Sequence, residues 1–325
     1  MNTNFLTIII PTKNRIELLQ KCLGALSNQK AYLRHFEILV IDDHSSPRTK
    51  NSYNLIINAY QNLSVRVFFL DKTRGAVHAR NYGLSKCTCS VVGFLDDDSI
   101  PDENWVSTIE KVFTASPGIG AISGHIDAFE LNHPLSAFRQ NFYDLRFKEL
   151  QTPSKSKSIA KAYNVCGRSD YFLTDNISGG NSAIRKQLLD ELNGFDIEFI
   201  SMHDKELTLR LLKKGIATVF CPALKIKHFH TKSLNDALNK SFRSGQMSFK
   251  LRQKHRELDC IAPFSLDLRN PLIIVNKARP TVKRSNLRLF SLNILIFILD
   301  YTHQIGYLME FAKVKLHLKS KQPVT

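Results

Sequence analysis

The feature that most constrains the fold is a repeated alternation of short apolar runs with amphipathic stretches. Four such runs lie in the first hundred residues: Leu6–Ile10, Phe36–Ile41, Val65–Leu70 and Val91–Leu95. Runs that are apolar on both faces are typical of buried parallel strands, and helical spacing between them indicates strand–helix–strand units. The pattern predicts an α/β fold with a doubly wound, mostly parallel sheet flanked by helices, and a further strand at Ile119–His125.

Helix boundaries and loops are predicted from capping residues and composition. Asn14 is expected to cap the first helix, with Glu17 completing a capping box. Between Ile126 and Asp175 the periodicity weakens, and the polar stretch Lys155–Ser158 is predicted to be a loop. Helical spacing returns over Ser233–Lys250.

Polar residues follow the predicted strands at what should be one edge of the sheet. Pro11-Thr12, Asp42-Asp43, Arg74 and Asp96-Asp97-Asp98 all come at or just beyond strand ends. Ligands of open α/β sheets bind beyond the carboxyl ends of the strands. These residues therefore predict one shared ligand site.

The chemistry of the triplet Asp96-Asp97-Asp98 favours a metal site. Three neighbouring carboxylates repel one another, and a divalent cation removes that cost. Hard oxygen ligands suit Mg²⁺ or Mn²⁺, which can also bind a diphosphate. A solvated acidic turn is the alternative, and the buried strand directly before the triplet argues against it.

Asp43 and Arg74 are weaker candidates taken one at a time. A carboxylate at Asp43 can accept hydrogen bonds from a base or a ribose, although the sequence around it is also typical of a turn. Arg74 suits a base face or a phosphate, but it is equally compatible with an ordinary surface arginine.

Later motifs supply candidates for the sugar and acceptor side of a site. Gly179-Gly180-Asn181 can let the backbone approach a sugar. Asp204 begins an amphipathic helix, where it is either an N-cap or a general base that takes a proton from a hydroxyl. His228 and His230 lie two apart, and one of them, assigned here as His230, is a candidate to complete the metal site beside Asp96 and Asp98.

The order of these motifs resembles the family-2 glycosyltransferases of the GT-A fold. Seven segments between about residues 5 and 230 carry the resemblance: Thr7–Arg15, Val40–Ser45, Arg74–Gly83, Phe94–Asp98, Ser178–Asn181, Gly194–Asp196 and His203–Leu207. No single segment is specific, but their shared order is.

The resemblance implies a role for each matching residue. Asp96 and Asp98 match the outer members of the DxD motif, which holds the metal, and Asp204 matches the catalytic base of inverting members. The implied positions for the nucleotide-sugar donor are Pro11, Thr12, Asn14, Asp43, Arg74, Asp97, Gly180 and Asn181. The implied reaction moves a sugar to a hydroxyl acceptor in a single displacement, with inversion and with Mn²⁺ or Mg²⁺. Saccharide or lipid-linked acceptors in cell-surface polysaccharide or glycolipid synthesis fit this chemistry.

One departure from the family pattern concerns the acceptor side. His203 stands where a glutamate usually precedes the base, so the acceptor type and the environment of Asp204 are open. An inactive, transferase-like binding protein is therefore one alternative. A phosphatase of the haloacid dehalogenase type, with Asp96 as nucleophile, is another, although Ile100 departs from its motif.

The domain prediction places a catalytic domain at 1–235, with a nucleotide-binding half at 1–125 and an acceptor half at 126–235. A helical, basic extension follows at 236–325. Nine Lys and Arg against two acids from Pro271 onward give this end +7 of the net charge of +16. The segment Leu287–Met309 is expected either to lie on an anionic membrane surface or to pack on the catalytic domain.

Composition indicates the compartment and disfavours nucleic acid as a partner. The sequence shows no signal-peptide pattern and no apolar stretch long enough to cross a bilayer, and its six cysteines lack CxxC spacing. We therefore expect a cytoplasmic protein with reduced thiols. If the C-terminal segment binds lipid, the protein is expected to be peripheral on the cytoplasmic face of the membrane. The basic residues are not interleaved with aromatics as a nucleic-acid surface requires.

Overall fold

A computed structural model describes residues 5–30, 36–163, 171–255 and 286–319. Its strands are β1 (Leu6–Thr12), β2 (Phe36–Asp42), β3 (Val65–Phe69), β4 (Val91–Leu95), β5 (Ser99–Pro101), β6 (Ile119–Ala128), β7 (Phe172–Leu173), β8 (Asn181–Arg185) and β9 (Ala217–His228). Its helices are α1 (Ile16–Ser27), α2 (Pro47–Asn51), α3 (Tyr53–Ala59), α4 (Ala76–Leu84), α5 (Trp105–Ala115), α6 (Pro134–Leu150), α7 (Pro153–Tyr163), α8 (Lys186–Glu191), α9 (His203–Lys213), α10 (Leu234–Lys254) and α11 (Asn286–Lys319).

The strands form one mixed sheet in the order β3-β2-β1-β4-β8-β6-β9-β5, with β7 paired to β9. The first four are mutually parallel, as the sequence predicts, and β6 is parallel to β9. β8 runs antiparallel between β4 and β6, and β5 and β7 run antiparallel to β9. The α/β prediction is confirmed, and the antiparallel strands of the second half are an addition to it.

The buried strands are apolar on both faces because helices cover the sheet. Every residue of β1, β2 and β4 is buried. Ile9, Leu39 and Phe94 pack in one cluster with Leu207 and Leu211 of α9. This packing explains why Val, Ile and Leu recur without polar alternation in the first hundred residues.

Two local predictions are wrong. Asn14 does not cap α1, because it adopts a left-handed φ of 54° and the residue at the cap position is Arg15, without a side-chain cap bond. Asn14 instead joins two loops: its N–H donates to Ser45 Oγ, and its Oδ1 accepts from the Ser46 N–H, both at 2.8 Å. The predicted loop Lys155–Ser158 lies within the helix α7. The helix buries Ile159, and the polar composition of the segment does not reveal this apolar contact.

The chain divides into two compact units. The first comprises 1–129 and 147–229, and the second comprises 130–146 and 230–325. The predicted acceptor half covers 126–235, whereas in the structure residues 130–146 belong to the same compact unit as 230–325. Much of the basic segment, including Lys277–Arg284, lies outside the described residues.

The second unit is built on close contact between α10 and α11. A Cβ on Gly245 would lie 1.9 Å from the carbonyl oxygen of His303, and one on Gly306 would lie 2.2 Å from that of Phe242. Leu135 and Leu299 pack in the same unit. The two glycines fix which side of α11 faces α10. None of the described helices meets the length and apolarity needed to span a membrane.

Replacing Gly306 with alanine is expected to destabilise the second unit. The new methyl group meets backbone that cannot move without separating the helices, and overpacking of this kind costs about 1–3 kcal/mol. Chemical denaturation should show the loss. Gly118→Ala is the matched control, because a Cβ there meets nothing within 4 Å. Equal stability of the two variants would contradict the close crossing.

Candidate active site

Three parallel strands bring the predicted polar residues to one edge. β1 pairs with β2 and β4, and Thr12 lies opposite Asp42 in the register. Because all three strands run the same way, the residues after their carboxyl ends must lie side by side. The edge therefore carries Thr12, Asp43 and the Asp96–Asp98 triplet.

Asp43 holds the loop between β3 and α4. Its Oδ1 accepts the Arg74 N–H at 2.7 Å, and its Oδ2 accepts the Gly75 N–H at 2.9 Å. Gly75 has a φ of 88°, which explains the glycine at this turn. The Arg74 side chain is exposed at the edge. Asp43 thus shapes the loop that presents Arg74.

Asp97 is held inside the protein. It is fully buried, accepts a hydrogen bond from Thr12 Oγ1 at 2.6 Å and pairs with Arg15 at 2.6 Å. Burial raises its pKa to about 7, against the opposing effects of Arg15 and Thr12. The prediction of Asp97 as a donor contact is corrected, because its carboxylate is buried and already bound to Thr12 and Arg15.

Asp96, Asp98 and His228 form a cluster of the right chemistry for a metal. One ligand atom from each lies within 4.8 Å of the others, and His228 Nε2 is 3.1 Å from Asp98 Oδ1. Carboxylate and imidazole ligands suit a divalent cation such as Mn²⁺. The residues present therefore fit the expected metal.

The histidine of this cluster is His228, and the assignment to His230 is corrected. His228 ends β9, which β5 joins to the triplet by pairing Ser99 with His228. The His230 ring instead stacks on Tyr143, with centroids 5.8 Å apart. The sequence showed only that two histidines were close, and the register of β5 on β9 decides between them.

Arg80 joins Asp96 to the start of α9. Its Nη2 donates to Asp96 Oδ1 at 2.5 Å, and its Nη1 lies 3.0 Å from His203 Nε2. Arg80 is almost wholly buried. Like Arg15, which bridges Asp97 and Asp98, it has no distinguishing spacing in the sequence, and only the fold shows its role.

His203 is held neutral by its surroundings. Burial and then the charge of Arg80 lower its pKa to about 4. A neutral ring accepts a hydrogen bond from Arg80 Nη1 at its Nε2, and its own proton is then on Nδ1. The histidine that replaces the family's usual glutamate therefore acts as a neutral acceptor for Arg80.

Two adjacent glycines connect Asp204 to the carboxylate cluster. The Gly179 N–H donates to Asp204 Oδ2 at 3.0 Å. A Cβ on Gly180 would lie 2.3 Å from Asp96 Oδ2. Neighbouring residues of one loop thus touch the candidate base and a candidate metal ligand, which places both groups in one site.

Asn181 belongs to the interior of the sheet, and its prediction as a donor contact is corrected. It is fully buried, and its Oδ1 accepts from Trp105 Nε1 at 2.8 Å. Its Nδ2 donates to the carbonyl oxygens of His125 and Leu224. The amide joins three parts of the first unit.

Comparison with known proteins decides the family. The family model for glycosyl transferase family 2 matches residues 7–192, more than half of the chain. The chain belongs to glycosyl transferase family 2. It is therefore a glycosyltransferase, and the alternative of a phosphatase of the haloacid dehalogenase type is wrong.

Curated relatives match most of this chain but often less of their own length. Glycosyltransferase AglE of Haloferax volcanii is 30% identical over 65% of this chain and 70% of its own. Pre-mycofactocin glycosyltransferase of Mycobacterium tuberculosis is 24% identical over 77% of this chain and 48% of its own. Chondroitin synthase of Escherichia coli is 28% identical, and the match spans 32% of its length.

Solved structures support the fold. The mannosyltransferase PcManGT from Pyrobaculum calidifontis, in complex with GDP-Man and Mn²⁺, superposes with a TM-score of 0.65 at 18% identity, over 94% of this chain and 87% of that one. Residues 1–349 of S. aureus TarS with UDP-GlcNAc give 0.53 at 14% identity, over 95% and 91%. The mixed sheet described above is therefore the GT-A fold.

Gly180→Ala is expected to displace Asp96 and to weaken metal-dependent binding of nucleoside diphosphates by tenfold or more, as disturbed ligand orientation does elsewhere. Titration calorimetry with and without Mn²⁺ measures this. Gly179→Ala is the matched control, since its Cβ has no neighbour closer than His203 Nε2 at 3.2 Å and neither glycine has a positive φ. Unchanged binding in Gly180→Ala would contradict the close contact.

His203 should make stability fall at acidic pH. The folded protein keeps this imidazole neutral down to about pH 4, whereas the unfolded chain protonates it near 6.5. Unfolding therefore takes up a proton between these values, and stability falls as the pH drops through them, by up to about 3 kcal/mol.

His203→Gln, which can still accept from Arg80, should remove this part of the slope. The measurement is urea denaturation of both proteins at several pH values between 7.5 and 4.5. The difference in unfolding free energy between them should change across the window. Parallel curves would show that His203 is not held neutral.

Proposed function

We propose that this glycosyltransferase moves a sugar from a nucleotide-diphosphate-sugar to a hydroxyl acceptor by a single displacement with inversion. The observation that carries the proposal is the loop Gly179-Gly180, whose two residues touch Asp204 and Asp96. An inverting reaction needs one base and one stabilised leaving group close together, and no nucleophilic side chain. The loop provides that proximity.

Asp96, Asp98 and His228 are the residues that would hold the metal, Mn²⁺ or Mg²⁺. A divalent cation bound there supplies positive charge to the leaving diphosphate. Arg80 and Arg15 keep Asp96 and Asp98 in place from the protein side. The chain thus orients both carboxylates before any ligand arrives.

The donor's nucleoside is assigned to the edge formed by β1, β2 and the loop before α4. Pro11 and Thr12 end β1, Asn14 ties the neighbouring loops together, and Asp43 presents the backbone and side chain of Arg74. An exposed arginine in the loop before α4 can face a base or a phosphate. Gly180, whose missing side chain lets the backbone lie against the Asp96 carboxylate, is assigned to the sugar side of the same site.

Asp204 is assigned as the general base. Its Oδ2 accepts from the Gly179 N–H and its Oδ1 from the Lys205 N–H, so the carboxylate is fixed in direction. Lys205 itself pairs with Asp175. Among the residues that the structure describes, Asp204 is oriented by backbone groups and not by an ion pair, which leaves it able to accept a proton.

The acceptor is assigned only by class, as a saccharide or a lipid-linked sugar handled on the cytoplasmic side. Two relatives support the saccharide class by what they are named for: an O-antigen chain rhamnosyltransferase of Salmonella typhimurium that is 24% identical, and the chondroitin synthase of Escherichia coli. Synthesis of a cell-surface polysaccharide or glycolipid is consistent with such acceptors.

Asp204→Asn should lower the rate of transfer by about 10²- to 10⁴-fold, the usual contribution of a general base, while donor affinity stays nearly unchanged. A panel of nucleotide-sugars with Mn²⁺, followed by thermal shift and then by product analysis, measures both. Asp98→Ala is the contrasting variant, which should lose the metal-dependent part of donor binding. If Asp204→Asn loses donor binding instead, its role as base is wrong.

A further inference from the structure

The outward side of α11 carries a continuous apolar stripe. Seven large apolar residues at helical spacing each expose between 39% and 54% of their surface: Ile294, Phe297, Ile298, Tyr301, Ile305, Leu308 and Met309. Ala312 continues the stripe and is exposed as well. Isolated exposed apolar residues are ordinary, but a contiguous face of this size marks an interaction surface.

The stripe is not the face that packs on α10. Leu299 is buried, and Gly306 lies against the backbone of Phe242 in α10. Leu295, on the same side as Leu299, packs in the cluster that contains Ala237 of α10. One side of α11 thus completes the second unit, and the apolar stripe occupies a different side of the same helix.

Charge indicates what this face binds. Residues 230–325 contain 17 Lys and Arg against six Asp and Glu, which is +11 of the chain's +16 in less than a third of its length. Within α11, Lys313 is exposed just after the stripe, and Lys315 and Lys319 follow in the sequence. Between Ile294 and Ala312 the helix itself carries Asp300 and Glu310 and no Lys or Arg, so the basic residues flank the apolar stripe. An apolar helix face flanked by clustered basic residues is typical of segments that bind an anionic membrane surface.

We propose that the stripe of α11 docks this glycosyltransferase on an anionic lipid bilayer, with the helix lying in the headgroup layer. Apolar burial and attraction to anionic headgroups then both contribute to binding. Phe297 and Tyr301, whose rings stack on one another, supply aromatic surface of the kind favoured at a membrane interface. The proposal does not depend on the assignment of Asp204 or of the metal ligands.

The test is sedimentation of the full chain with vesicles. Wild-type protein should bind vesicles of mixed phosphatidylcholine and phosphatidylglycerol at least tenfold more strongly than vesicles of phosphatidylcholine alone. Ile298→Glu/Ile305→Glu, at two exposed stripe positions, should reduce binding to the anionic vesicles by tenfold or more. Circular dichroism and thermal melting check that this variant and its control remain folded.

Asn235→Glu/Asn239→Glu is the matched control. It adds the same two charges at exposed positions of α10, outside the stripe, and should retain most of the binding. Equal loss in both variants would mean that net charge alone drives binding, and would overturn the docking role of the stripe. Failure of wild-type protein to bind either vesicle, or a dimer that only the stripe variant abolishes, would assign the face to another partner and also overturn the proposal.

Discussion

The burial of neighbouring carboxylates at the end of β4 is the constraint on which the rest of the site depends. Asp96, Asp97 and Asp98 leave the strand together, and two arginines balance them. Arg15 bridges Asp97 and Asp98, while Arg80 pairs with Asp96. The two outer carboxylates also lie with His228, where a divalent cation can add the remaining positive charge. The middle carboxylate is buried and serves the fold.

The same balance explains the substitution at residue 203. Arg80 needs an acceptor on its far side, and a neutral histidine provides one without drawing the guanidinium away from Asp96 as strongly as a second carboxylate would. The substitution leaves Asp204, the Gly179-Gly180 loop and the cluster in place. The residues that the proposed inverting reaction requires therefore stay together despite the substitution.

The sequence predicts the parts of this protein that depend on local pattern. The four parallel strands, the shared edge and the positions of Asp43, Asp96 and Asp98 follow from apolar runs and strand ends. Residues whose roles depend on tertiary contact escape it. Asn181 looks like a loop amide but joins the sheet interior, and Asn14 looks like a helix cap but joins two loops. Arg15 and Arg80 lie in two of the segments that carry the family resemblance, but only the fold shows that they pair with the triplet. His228 and His230 are indistinguishable until the pairing of β5 with β9 is known.

We propose above all that Asp96, Asp98 and His228 form a metal-dependent donor site at the sheet edge. The most direct measurement is calorimetric titration of nucleoside diphosphates, with and without Mn²⁺, into wild type, His228→Ala and His230→Ala. Mn²⁺ should strengthen the binding of at least one nucleotide to wild type and to His230→Ala. His228→Ala should lose most of that gain, by tenfold or more. Loss in His230→Ala with retention in His228→Ala, or no effect of metal on any nucleotide, would contradict it.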